Sequence, residues 1–392
     1  MDYLIVSFGI LSFLFMMVFV FKNDIGLSAL TSSFLSSMTV LGSLNINVVL
    51  IFLSFIILFL SGRLVLNERK IIFFYLFAIL IMVFTLLSSM NNATMWQALG
   101  KWLKVILVFF PFIFNLNLER CRFNVRDVAV SFITSSLILG FFYFFLIGSA
   151  SGLYGIPRFS GYFYDANYFA LVCVVILWFL FFEKVLKARS YLFVTSFVVF
   201  MIFLSQSFTA VTSMCMLMLY LKVKNGNINY FRCYHTKLNY TYLILAFFYP
   251  TFLFITYHTL DIQLLPDYET NMVSFKINSL LMRIKAQISI FDIFSHDYTY
   301  FLAGYGSGNS VALFGRVLHN AYLQMLFDNG VFFFVTIVLL VSFYINLVGL
   351  TFPMVLFLAC TNYLFDNIFM YLMSFVILLH VYCARRLALR EV

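Results

Sequence analysis

Four short stretches of this sequence carry residue types that could do chemistry together. The richest is "HNAYLQMLFDNG" (319–330), where an imidazole, amides and a carboxylate stand directly ahead of an apolar run. A histidine of ordinary pKa, about 6.5, is the side chain best suited to take a proton near neutrality. His319, Tyr322 and Leu326 share one helical face, and Asp328-Asn329-Gly330 reads as a helix stop. The alternative reading of His319 is a structural histidine at the outer face.

The second stretch, "PRFSGYFYDANYFA" (157–170), offers Arg158, followed by Asp165 and Asn167 at the entry of an apolar run. A guanidinium there is a natural bidentate partner for phosphate. It is equally an interfacial arginine snorkelling among aromatic residues. The third, "NMVSFKINSLLMRIKAQISIFDIF" (271–294), repeats Val273, Ile277, Leu280, Leu281, Ile284, Ile288 and Phe291 at helical spacing. Lys276, Ser279 and Arg283 fall on the other side. This predicts an amphipathic helix on a membrane face, with Arg283 either an ordinary solvated residue or a phosphate clamp. The fourth, "LAGYGSGNS" (302–310), spaces its glycines like a phosphate loop. No Lys-Ser/Thr follows and no strand precedes, so a flexible turn is the plainer expectation.

What must position these residues is a membrane-embedded frame. Hydrophobic residues make up 64% of the 392 positions and charged residues only 10%, against about 25% charged in a soluble domain. Mean hydropathy is +1.03. A spanning helix needs about 20 apolar residues. Apolar runs lie near 3–21, 46–62, 71–90, 99–117, 128–148, 165–182, 190–205, 207–222, 239–259, 331–348, 351–365 and 367–384. Unbroken runs such as "YLIVSFGILSFLFMMVFVF" (3–21) exclude a membrane barrel, whose strands alternate polar and apolar. The expected fold is therefore all-α: one polytopic membrane domain over 1–392 with about 12 transmembrane helices. The stretch 25–44 is diluted by hydroxyl residues and reads as interfacial or re-entrant. Asp2 stands where a signal peptide would be basic and no small-residue cleavage site follows, so the first run is expected to be a retained span.

Lys and Arg in short loops mark the cytoplasmic side. They gather at 63–70, 119–127, 183–189 and 222–237 and in the tail "ARRLALREV". Placing all five inside leaves an even number of spans between each pair. With twelve spans both termini are cytoplasmic; with thirteen the amino terminus is outside. The net charge of +9 sits in these loops and not on one basic face, so nucleic acid is not an expected partner. Outside lie the loop 149–164 and the long, near-neutral segment 260–330. Neither holds a cysteine, so no disulfide framework is expected there. The six cysteines read as small apolar residues, not as a metal site.

Two function classes remain. A transporter keeps buried charges and broken helices at mid-membrane, often in inverted repeats. Here the spans are poor in charge, Asp366 falls between two of them, and Pro111 and Pro250 are the only obvious breaks. Polar signal gathers outside instead, which favours an enzyme acting on a membrane-held phosphate.

Taken in order, Arg158 followed by "FSGYFYDAN", Arg283 in "LLMRIKAQISIFDIF", "LAGYGSG" and "HNAYLQMLFDNG" resemble the O-antigen polymerase and O-antigen ligase superfamily of bacterial envelope glycan assembly. The resemblance covers about residues 150 to 350 by motif and the rest by hydropathy. It implies a metal-independent glycosyltransferase of the inner membrane, without cofactor, its site facing the periplasm. The implied donor is an undecaprenyl-pyrophosphate-linked oligosaccharide, held in membrane lipid, with a separate chain-length regulator as a possible partner protein. The family's two outer arginines and histidine fall on Arg158, Arg283 and His319. Asn320 or Asp328 would orient His319. Asp165, Asn167, Asn320 and Tyr322 would contact substrate, with Arg316 a third candidate phosphate contact. The ligase pattern continues as Gly, two residues, then Gly, Thr or Tyr, whereas Gly330 here is followed by Val331, Phe332 and Phe333. The polymerase is therefore expected over the ligase, and either over a transporter.

Overall fold

In lipid every backbone N–H and C=O must find its partner within the segment, so long runs of Leu, Ile, Val and Phe fold as helices. The protein follows this rule. Its structure, a computed structural model, describes residues 2–20, 29–30, 32, 40–41, 44–62, 64–66, 68–90, 96, 99–100, 102–103, 105–106, 114–116, 125–147, 157–163, 165–183, 188–207, 209–215, 218, 239–263, 272–306, 308–315, 318–348 and 352–363. Its helices are α1 (Asp2–Val20), α2 (Ile46–Leu60), α3 (Glu68–Ser89), α4 (Val125–Leu146), α5 (Ala166–Glu183) and α6 (Ala188–Leu204). They continue as α7 (Tyr240–Thr256), α8 (Met272–His296), α9 (Tyr298–Ala303), α10 (Asn309–Phe314), α11 (Ala321–Val348) and α12 (Phe352–Asn362). Two short antiparallel ladders join them, β1 (Val40–Leu41) with β2 (Leu44–Asn45), and β3 (Leu64–Leu66) with β4 (Phe114–Leu116).

Among the described residues, Ile71–Ser89, Val128–Leu146 and Ala321–Asn346 are long and apolar enough to cross a membrane. Shorter apolar helices cover Ser7–Met17, Val49–Leu60, Ala166–Leu177, Leu192–Leu204 and Tyr240–Thr256. Where the sequence reads one domain over 1–392, the chain packs as two compact units. The first comprises Met1–Lys70, Phe110–Gly226 and Tyr382–Val392; the second comprises Ile71–Phe109 and Asn227–Val381.

In the first unit α1 and α4 run antiparallel. Phe8 meets Tyr143 near the end of α4, ring centroids 5.4 Å apart. Met16 instead lies level with mid-α4, because the Tyr162 hydroxyl reaches its sulfur at 3.5 Å and also bonds Ser135. The turn 159–163 nests against α4 through two glycines. A Cβ on Gly140 would stand 2.9 Å from the Gly161 Cα. Above them Phe132, Tyr162, Phe163 and Phe169 form a fully buried aromatic knot.

In the second unit α3 and α11 are also antiparallel: Phe73 faces Phe343, Phe84 stacks on Phe332, and Ser88 accepts from the Asn329 amide at 3.3 Å. α7 joins them, with Phe247 on Phe334 and the buried cap Asn239 donating its N–H to Ser342 Oγ at 2.7 Å. Pro250, expected to break a span, sits inside an α7 that runs on through it. The break falls at Gly330, where φ 78° and ψ 174° interrupt α11. Ala321–Asn346 is therefore no straight crossing: its first nine residues form a separate half-helix. Tyr322 in that half-helix touches Phe334, twelve residues on, with ring centroids 6.3 Å apart. A straight helix would hold them about 18 Å apart. The half-helix must turn sharply back toward the bundle.

α8 departs from its expected stripe. Among its described side chains the buried ones are Asn278 in the first half and Ala286, Gln287, Ile288, Ile290, Phe291 and Phe294 in the second, while Ile277 and Leu280 are 40% and 50% exposed. It meets α7 within one turn, through Gln287 and Phe291. The reason is long-range: the carboxyl half covers the folded-back half-helix, as Phe294 on Phe327 records.

Candidate functional site

Each group of sequence-predicted residues falls within one unit. In the first unit, Asp165 caps α5, its Oδ1 accepting from the Asn167 N–H at 2.6 Å. That cap frees the Asn167 side chain, whose Oδ1 accepts from Arg158 Nη2 at 2.7 Å. Arg158 Nε donates to the Ser205 carbonyl at 2.9 Å, just past the end of α6, and the Phe159 N–H donates to Leu204 at 3.1 Å. Arg158 thus ties the start of α5 to the end of α6. Among the described residues, two of its five N–H donors are engaged. Burial lowers the Arg158 pKa and the nearby Asp165 carboxylate raises it again; the half-buried guanidinium stays charged at neutrality.

In the second unit the half-helix begins at the opening histidine. Asn320 is its cap: Oδ1 accepts from the Leu323 N–H at 3.0 Å and its carbonyl from the Gln324 N–H at 2.8 Å. The Asn320 side chain is fully buried, and its Nδ2 has no partner among the described residues. Immediately before His319, Leu318 is gripped at both backbone groups. Gln287 Nε2 donates to its carbonyl at 2.7 Å, and its N–H donates to Gln324 Oε1 at 3.2 Å. His319 lies between these fixed residues, half-buried, with φ 51°. A non-glycine residue in the left-handed region costs about 1–2 kcal/mol. Such strain persists only where the surroundings over-determine it, commonly at functional sites.

The Gly-rich stretch is not a phosphate loop. It completes the broken helix: the Tyr305 and Gly306 N–H groups donate to the Phe327 and Asp328 carbonyls at 2.7 and 3.1 Å. Those carbonyls lose their helical partners at the Gly330 break. Gly304 and Gly330 allow the contact, since a Cβ on Gly304 would lie 2.5 Å from the Asn329 Cα and one on Gly330 would overlap the Leu302 carbonyl.

No family model, no curated protein and no solved structure matches the chain.

The structure accordingly brings Arg158, Asp165 and Asn167 together in the first unit and places Arg283, His319, Asn320 and Tyr322 in the second. Arg283 is a half-buried residue of α8, and Arg316 lies outside the described residues. Tyr322, expected to touch substrate, is fully buried: its hydroxyl donates to the Ala359 carbonyl and accepts from Asn362 Nδ2, both at 3.4 Å. Its observed work is packing the half-helix on the bundle. Asp328, expected to orient the histidine, takes Gln324 Nε2 at 2.8 Å. Sequence reasoning missed Gln287, Gln324 and Ser310. The available signal was that each glutamine stands among apolar residues at a position a helix would bury, where an amide must find partners.

Proposed function

We propose that this protein is an O-antigen polymerase, joining undecaprenyl-pyrophosphate-linked oligosaccharide repeat units at the periplasmic face of the bacterial inner membrane. The observation that carries the reading is His319, a titratable ring held half-buried at φ 51° where a half-helix begins at the end of a membrane span. In the reaction the acceptor hydroxyl attacks the sugar carbon bonded to pyrophosphate; His319 takes the hydroxyl proton, and the lipid pyrophosphate leaves with the bonding electrons. Negative charge grows on that leaving group. Guanidinium groups already oriented stabilise it without reorganisation. The resemblance assigns phosphate to Arg283, a residue of α8, and to Arg158, which is clasped by Ser205 and Asn167. Twelve or thirteen spans would carry this apparatus, with the segment 260–330 on the periplasmic side.

One observation favours a second reading. A helix broken within a candidate span, as α11 is at Gly330, is an architecture that transporters use at substrate sites. The deciding experiment is a gel of cell-surface lipopolysaccharide from a strain lacking this gene. Cores capped by a single repeat unit, with no ladder, support the polymerase. Bare cores with long glycan left on its carrier point to the ligase. An unchanged ladder overturns both and reopens transport or another polymer.

A further inference from the structure

Gln287 and Gln324 both bond the backbone of Leu318, the residue just before His319. Each is nearly buried, and each has its amide orientation fixed from behind. Gln287 Oε1 accepts from the Tyr249 hydroxyl at 2.7 Å, which turns its Nε2 toward the Leu318 carbonyl. Gln324 Nε2 donates to Asp328 Oδ1 at 2.8 Å and Ser310 Oγ at 3.1 Å, which turns its Oε1 toward the Leu318 N–H. One residue is thus held at both backbone groups by amides that cannot flip without losing other bonds. Asn320, on the far side of His319, is fixed by the helix it caps.

Only an amide suits these two positions. Glutamate at 287 would keep the Tyr249 bond but set a carboxylate oxygen against the Leu318 carbonyl, which would lose its donor. Glutamate at 324 would keep the Leu318 bond and lose the donors to Ser310 and Asp328. Neither glutamine is placed to meet substrate, since Gln287 and Gln324 are 4% and 5% exposed. We infer that Gln287 and Gln324 are positioning residues that hold His319 in its reactive conformation, an assignment that rests on His319 being the proton acceptor.

The test uses full-length protein in nanodiscs, wild type beside Gln287→Glu and Gln324→Met. Diethylpyrocarbonate acylation of His319 is followed by mass spectrometry across pH, with the exposed His258 and His296 as internal references. The expected result is a changed His319 rate in both variants while the two references keep theirs. Turnover of lipid-linked repeat units should fall about 100-fold at unchanged KM, as misplacement of a reacting group by an ångström costs. An unaltered His319 rate in folded variants overturns the inference. A changed His319 rate with full turnover upholds the positioning and removes His319 from the chemistry. If a variant fails to fold, Gln287→Met and Gln324→Glu, which alter the same bonds by other means, are read by the same criterion.

Discussion

Tyr322 packs its ring on Phe334 although twelve residues of one nominal helix separate them. The turn that allows this is a single residue, Gly330, interlocked with Leu302 and Gly304. Its φ and ψ lie in a region essentially reserved for glycine. Gly330→Ala adds a clash with the Leu302 backbone to that strain, and Gly304→Ala drives a Cβ into Asn329. Each should cost more than about 4 kcal/mol or prevent folding. Gly308→Ala and Gly315→Ala meet open space, so only their positive φ is penalised, at about 1–2 kcal/mol. Thermal unfolding in detergent measures the difference. Similar losses at all four positions would mean that the interlock contributes nothing.

His319 should behave as a residue kept at a cost. Asparagine tolerates the left-handed region better than most residues, so His319→Asn should unfold no earlier than wild type while abolishing the polysaccharide ladder. Stability held and function lost together identify strain maintained for chemistry. An unstable His319→Asn protein would mark the histidine as structural, and a normal ladder would remove it from the reaction.

The Arg158 clasp can be separated from any phosphate role. Asn167→Asp keeps an acceptor on Arg158 Nη2 and places a negative charge where an anion would bind. It should fold normally and bind farnesyl pyrophosphate, used as a short lipid pyrophosphate, more weakly than wild type. Arg158→Lys and Arg283→Lys should both lose ladder, because a point charge does not replace a planar fork. If Asn167→Asp binds the probe as wild type does, Arg158 serves only to tie α5 to α6.

Much of this frame was legible before folding. Unbroken apolar runs require helices in lipid, and the small polar residues ahead of them, Asp165, Asn239, Asp297 and Asn320, do cap the helices that follow. "DNG" stopped a helix as its composition suggests. What sequence spacing could not carry was the direction taken after the stop. Gly330 permits many turns, and the chosen one depends on Leu302, Phe327 and Phe334, all remote or across the break. The same holds for the glutamines: periodicity says they are buried, but only the fold says that both point at Leu318. α8 follows its apolar stripe at Ile288 and Phe291, and departs from it at the exposed Ile277 and Leu280.

The antiparallel packing of α1 on α4 bears on a point that hydropathy left open, the number of spans. β3 pairs with β4, so residues 64–66 and 114–116 end at one face, as the two crossings between them require. Between α1 and α4 the apolar runs 46–62, 71–90 and 99–117 supply three crossings. Three crossings would leave α1 parallel to α4, but Phe8 against Tyr143 and Met16 level with Ser135 make it antiparallel. A fourth crossing would fit that packing, and we assign it to the part of 25–44 that precedes β1. Of the described residues of that segment, Ala29, Leu30 and Ser32 are helical and buried, while Val40, Leu41 and Leu44 belong to the β1–β2 ladder. A Ser-rich crossing inside a bundle is acceptable because its hydroxyls can bond back to their own helix, as Ser54, Thr85 and Thr361 do. With the basic loops cytoplasmic, thirteen spans and an outside amino terminus are the outcome we predict. An epitope fused ahead of Met1 should therefore be reached by antibody in intact spheroplasts, while one inserted in the 61–63 turn should need permeabilised membranes. Both epitopes hidden until permeabilisation would restore twelve spans and leave the α1–α4 packing to be explained another way.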